Sequence, residues 1–227
     1  MNTSMSKIKE MALIFNAMEC KIDNDLFMVD HPFITSVLTP YKDLTFLDIR
    51  ETGNVDKAKE YYNEIIKEAT DYWQLLMSLN KRYVSAFFKY TKNYLSDKDF
   101  STALFELFTT LEYPNNDVNI TLNDFVRMFK RVNKKYIISD DEQEVYNNLP
   151  DVVTVYRGVK PNAKVKALSW TIDKEVAQWF ADRWEKNGKV YKAKINKKDI
   201  LIYTNARNEK ETILDYHKLY DIEEVER

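Results

Sequence analysis

Between Val55 and Leu95, apolar and aromatic side chains recur every three to four positions: Tyr61, Ile65, Tyr72, Leu75, Leu76, Leu79, Val84, Phe87, Phe88 and Leu95. That spacing puts them on one side of a helix, where they meet a core. Three further helical segments follow, two of them announced by a cap. "SDKDFSTALFELFTTLEY" opens on Ser96 and Asp97, and "TLNDFVRMFKRVNKKY" on Thr121 with Asp124 three residues later. Such side chains accept hydrogen bonds from the unpaired N–H groups of a first helical turn. A shorter segment, "SDDEQEVYNNL", ends at Pro150. Residues 1–150 are therefore expected to form an all-helical lobe, with loops at 114–119 and 139–141.

Beyond Pro150 the period drops towards two. "DVVTVYRGV", "AKVKALSWT", "KVYKAKI", "DILIYT", "ETILDY" and "YDIEEVE" are short runs, β-branched or alternating, and read as strands. One helix interrupts them, "DKEVAQWFADRWEKNG". Asp173 is its expected cap, Ala177, Phe180, Ala181 and Trp184 are its apolar face, and Asn187-Gly188 is its stop. The expected fold class is α+β: a helical lobe over 1–150 packed on a small, mostly antiparallel β unit over 151–227 with one inserted helix. With no internal repeat, low-complexity linker or Gly-rich phosphate loop in the sequence, the two halves are expected to form one compact body.

Composition removes several classes of function. A chain of 227 residues buries a sizeable core without staples, and its single cysteine, Cys20, precludes an internal disulfide framework. That cysteine and two distant histidines, His31 and His217, show no metal-ligand spacing, so no metal is expected. The opening apolar run is broken by Glu10, and no stretch approaches the roughly 20 apolar residues of a membrane span, which points to a cytoplasmic protein without a membrane partner. Formal charge is −2: residues 1–150 carry 18 Lys+Arg against 23 Asp+Glu, and residues 151–227 carry 16 against 13. Eleven basic against four acidic residues between Lys160 and Lys198 form the one basic stretch, for which solvated strand faces are the simpler account.

Three short stretches of the β half carry candidate chemistry. In "VYRGV", Arg157 sits within a β run; its permanently charged guanidinium either leaves the core from an edge strand or pairs with an anion. In "LSWTID", alternation sends the hydroxyls of Ser169 and Thr171 to one side and Trp170 to the other. In "NEKET", Glu209 and Glu211 share a side if the chain is extended, where each raises the other's pKa; surface decoration is the plain alternative.

In this order, "YRG" at 156–158, "LSWT" at 168–171, "AQWFA" on the following helix and "EKE" at 209–211 resemble the ADP-ribosyltransferase superfamily of the Arg-Ser-Glu class. Its members include the enzymatic subunits of clostridial binary toxins and shorter phage-encoded relatives. By motif the resemblance covers about the last 75 residues. It implies a mono-ADP-ribosyltransferase that uses NAD as co-substrate, releases nicotinamide and modifies a protein side chain, arginine favoured. A nucleic-acid acceptor is the weaker option. NAD hydrolysis by water, or a binding or inhibitor protein on the same fold, are the alternatives. The implied roles place Glu211 on the ribose and its developing charge, Ser169 on that carboxylate, and Glu209 on the acceptor. Arg157 would take the phosphates, Gly158 would hold the nicotinamide amide through its backbone, Phe180 would pack on the nicotinamide ring, and Thr171 would add a hydroxyl to the NAD side.

Overall fold

Caps decide where the long helical pattern of the first half breaks. In the computed structural model, which describes residues 2–111, 114–183 and 187–225, the side chain of Asp71 accepts from the backbone N–H of Gln74 and that of Asn80 from Arg82. The run from Val55 to Leu95 is thereby cut into α2 (Asn54–Glu68), α3 (Tyr72–Ser78) and α4 (Lys81–Thr91), and it is preceded by α1 (Met5–Asn16). Between α1 and α2 lie two short antiparallel hairpins, β1 (Lys21–Asp23) with β2 (Met28–Asp30) and β3 (Leu38–Pro40) with β4 (Phe46–Asp48). The first half is thus not all-helical. Strands of three residues are too short for alternation to be visible in sequence. Ser96 caps α5 (Asp97–Thr110), its hydroxyl accepting from the N–H of Asp99.

By its contacts the chain divides into two compact units, Met1–Thr110 and Leu111–Arg227. In the first, α1 packs on α2, α3 and α4. Phe15 meets Phe87 edge-on at 5.3 Å between ring centroids, and Phe87 stacks on Tyr72 at 6.0 Å. Tyr72 is fully buried, and its hydroxyl is matched by that of Thr91 at 2.9 Å. The buried face of α2 is Ala58, Tyr62 and Ile66, one position on from the expected Tyr61 and Ile65, which are half-buried.

The second unit begins with α6 (Leu122–Arg131) and α7 (Asp140–Asn148), each opened by a full capping box, Thr121 with Asp124 and Ser139 with Glu142. The sequence pattern groups these helices with those before them, whereas their side chains tie them to the strands that follow. Lys130 pairs with Asp215 at 2.6 Å, and Glu142 accepts from Thr204 and from the backbone of Asn205.

A single six-stranded sheet occupies the rest: β5 (Val152–Val159), β6 (Ser169–Thr171), β7 (Lys189–Asn196), β8 (Ile200–Thr204), β9 (Glu211–Leu214) and β10 (Tyr220–Val225), with α8 (Lys174–Asp182) between β6 and β7. The spatial order is β10-β7-β5-β6-β9-β8, and every neighbouring pair is antiparallel. The α+β class follows directly. Residues 163–168, expected as strand, are not: Val165, Ala167 and Leu168 pack inward, and the Leu168 carbonyl accepts from the Leu214 N–H of β9 at 2.9 Å just before β6 begins. Asp173 caps α8 as expected, but Trp184, assigned to its apolar face, lies outside the described residues. A core of Val153, Val155, Trp170, Ala193, Ile195 and Leu214 lines the sheet. Among the described residues, no helix is long and apolar enough to cross a membrane.

Candidate functional site

The strand order brings the three sequence motifs side by side. β6 is the central member of the trio, flanked by β5 and β9, so Arg157, Ser169 and Glu211 come from adjacent strands although 54 positions separate the first from the last. Thr171 stands opposite Tyr156 on one side and Glu211 on the other.

Hydrogen bonds join them into a chain. Nη1 of Arg157 donates to the backbone carbonyl of Ser169. The Ser169 hydroxyl donates to Oε1 of Glu211 at 2.6 Å, a charge-assisted bond that fixes the carboxylate's rotation. Glu211 is only 6% exposed, a rare state for a glutamate unless it is paired. On its far side, Nη2 of Arg207 reaches Oε2 of Glu211 at 3.3 Å and Oε2 of Glu209 at 2.9 Å. Burial pushes the Glu209 carboxyl above the ordinary carboxylate range; the Arg207 cation opposes that rise and the Glu211 charge reinforces it.

Arg157 is the most conspicuous member. Its Nε is shut off from solvent and has no hydrogen-bond partner, and burial pushes the guanidinium down to about 10, with Glu211 drawing it back up. At neutral pH it is therefore a part-buried cation whose buried Nε has no partner. A group of that kind is costly unless an anion answers it.

Gly158 has a packing reason to be glycine. A Cβ there would lie 1.9 Å from the carbonyl oxygen of Ala177 and 2.5 Å from the nitrogen of Ala181, so α8 rests directly on the strand. Gly188 repeats the arrangement at the start of β7, where a Cβ would lie 1.9 Å from the Ala181 carbonyl. The close approach that Gly158 permits is thus that of the helix. It also brings in Phe180, whose Cβ is 3.0 Å from the same point and whose ring meets Trp179 edge-on at 4.9 Å.

Thr171 serves the loop. Its hydroxyl donates to the carbonyl of Glu209 at 2.7 Å and accepts from the N–H of Asp173, tying the glutamate turn to the cap of α8. The Lys210–Asp173 ion pair at 2.7 Å repeats that link. Asn208 and Lys210 both adopt left-handed backbone, which turns the chain sharply enough to bring Glu209 and Glu211 to one cation. Trp170 points into the core, 2% exposed, its indole N–H donating to the Ala167 carbonyl. Its bulk therefore lies away from the hydroxyls that flank it in sequence.

All seven residues singled out in the sequence, Arg157, Gly158, Ser169, Thr171, Phe180, Glu209 and Glu211, come together in the second unit. Two further residues were not singled out there: Arg207, and Glu142, which holds the end of β8 where the loop departs. Arginine at 207 with glutamates two and four positions on is the signal that was present for the first. The basic stretch is mostly balanced in its strand portion, since Lys189, Lys192 and Lys194 pair with Glu224, Glu223 and Asp221. Among the described residues, no three His, Cys, Asp or Glu side chains gather in a way that could hold a metal ion. A scan against family models, a search of curated proteins and a search of solved structures each find no match to this chain.

Proposed function

We propose that the protein is a mono-ADP-ribosyltransferase of the Arg-Ser-Glu type, moving ADP-ribose from NAD to a protein side chain, with arginine the favoured acceptor, and releasing nicotinamide. The observation that carries this reading is the hydrogen-bonded chain Arg157–Ser169–Glu211 across three adjacent strands. Breaking the bond between ribose and nicotinamide builds positive charge on the sugar, and a fixed carboxylate stabilises such charge where it develops. Glu211 supplies the carboxylate, and Ser169 holds its orientation. Nicotinamide departs neutral, so the reaction needs no general acid for the leaving group.

Arg157 suits the phosphates of NAD: its part-buried charge calls for an anion, and a pyrophosphate accepts the forked geometry of a guanidinium. Glu209, with its carboxyl held up by burial, is the base beside the acceptor. Phe180, which approaches β5 at Gly158, would flank the nicotinamide ring, whereas Thr171 acts by holding the Glu209 turn. Trp170, buried in the core, leaves the Ser169 side of this strand clear.

The test is incubation of the protein with labelled NAD and a cell lysate, following label in macromolecules and free nicotinamide. Label in protein, lost in Arg157→Ala together with NAD affinity while the melting temperature holds, is the expected result. Label only as free ADP-ribose would make the protein a hydrolase. NAD affinity unchanged by Arg157→Ala would remove the assignment of the phosphates.

A further inference from the structure

We propose that Arg207 is itself an acceptor, a modification site at which the chain takes ADP-ribose from the NAD bound to its own site. This rests on the reading of the site as an NAD-dependent transferase. The carrying observation is geometric: one nitrogen, Nη2 of Arg207, lies within 2.9 Å of a Glu209 oxygen and 3.3 Å of a Glu211 oxygen. A guanidinium nitrogen between the base and the carboxylate that faces the sugar stands where an incoming arginine would have to stand. It arrives from the solvent side, for Arg207 is 48% exposed at its side chain and Glu211 only 7%.

The loop that carries Arg207 is fastened at both ends. Before it, Glu142 accepts from the Thr204 hydroxyl and the Asn205 N–H. After it, the Asn205 side chain accepts from the N–H of Lys210, and Thr171 donates to the Glu209 carbonyl. A nucleophile held this way reacts with an effective concentration far above that of any dissolved acceptor. The burial that raises the Glu209 carboxyl also makes it a better base for the guanidinium proton.

The step balances without another reagent. The bond from ribose C1′ to the nicotinamide nitrogen breaks, and its electron pair returns to the ring, which leaves neutral. A bond forms from an Arg207 Nη to C1′, and the proton that nitrogen loses passes to Glu209 and then to water.

The experiment is incubation of the full chain with NAD and no added acceptor, with three readouts: nicotinamide release, intact mass, and mapping of any adduct by fragmentation. The expected result is one ADP-ribose per chain, on Arg207, at a rate per molecule that does not change on tenfold dilution of the protein. Arg207→Lys keeps a cation between the carboxylates but lacks the guanidinium, and should carry no adduct at 207. Nicotinamide release without an adduct at Arg207, an adduct confined to other residues, or a rate that falls with dilution would each overturn the proposal while leaving the transferase or hydrolase reading in place. No nicotinamide release, with or without lysate, would overturn both.

Discussion

Glu211 is held from two sides, by the Ser169 hydroxyl and by Arg207, with the Arg157 charge near enough to act on it. In Glu211→Gln the shape stays and the charge goes. NAD should still bind, but transfer and NAD hydrolysis should both fall about 100- to 1000-fold, the usual loss for one well-placed electrostatic group. Glu209→Gln should separate the two products: transfer drops while slow hydrolysis persists, because water can still attack a sugar that Glu211 stabilises. Quantifying ADP-ribosylated acceptor and free ADP-ribose in both variants, beside melting curves, decides the matter; the opposite pattern would exchange the two roles. Arg157, Ser169 and Glu211 were legible because a cation, a hydroxyl and a carboxylate stand in strand patterns that call for apolar side chains, and because their stretches follow one another in a family order. Glu209, in the loop before β9, was read only as the partner of Glu211. Arg207 was not legible, since an arginine in a polar loop breaks no rule.

At the scale of elements, α8 is seated on β5 and β7 through close backbone approaches at two glycines, with Ala177 and Ala181 packed on Val190 and Tyr156. Gly158→Ala must push the helix off the strand, because the atoms in the way are backbone and cannot rotate aside. Overpacking of this kind costs about 1–3 kcal/mol. A lowered melting temperature is therefore expected together with loss of nicotinamide release, whereas Gly53→Ala, in the other unit at positive φ with open space around it, should cost stability alone. Caps are local chemistry, and Ser96, Thr121 and Asp173 each act where their sequence context places them. Ser139, expected in a loop at 139–141, instead caps α7 from Asp140, and Asp71 and Asn80 start α3 and α4 inside what reads as one helical run. The two hairpins and the loop at 163–168 were not legible. Whether a backbone finds a ladder partner depends on a strand elsewhere in the chain, and an apolar loop that packs inward mimics a strand in composition.

For the whole molecule, acid should act on the two units in sequence. His31 is fully buried in the first unit; its Nδ1 accepts from the N–H groups of Phe33 and Ile34, which leaves Nε2 to donate to the Asn16 carbonyl. Protonation at Nδ1 would break both acceptor bonds, and burial pushes the group down to about 4 from 6.5. The folded value lies below the unfolded one. Its contribution is therefore complete above pH 6.5 and is lost progressively as pH falls towards about 4. In the second unit, Asp124, bonded to Thr121, and Asp173, bonded to Lys210, are held below their ordinary 3.8, so their contribution is lost only at lower pH. Amide exchange between pH 7 and pH 4 should show protection declining around His31 before it declines in the sheet; simultaneous loss would remove His31 as the sensor. None of this was visible in the sequence, where His31 is a lone histidine and the change of period at Pro150 conceals the division between Thr110 and Leu111.

The ends of the sheet are guarded by different means. The β8 end is packed against α6 and α7, and all five residues of that strand are buried. Among the described residues no further strand joins the sheet beyond β10, but that strand sets Asp221, Glu223 and Glu224 against lysines of β7, and its register slips between Tyr220 and Glu223 beside the left-handed Asp221. Charge and a bulge on an edge strand make a poor template for a seventh strand. The ion pairs that neutralise the basic stretch therefore have a second effect, which is colloidal: they discourage one copy of the sheet from continuing into another.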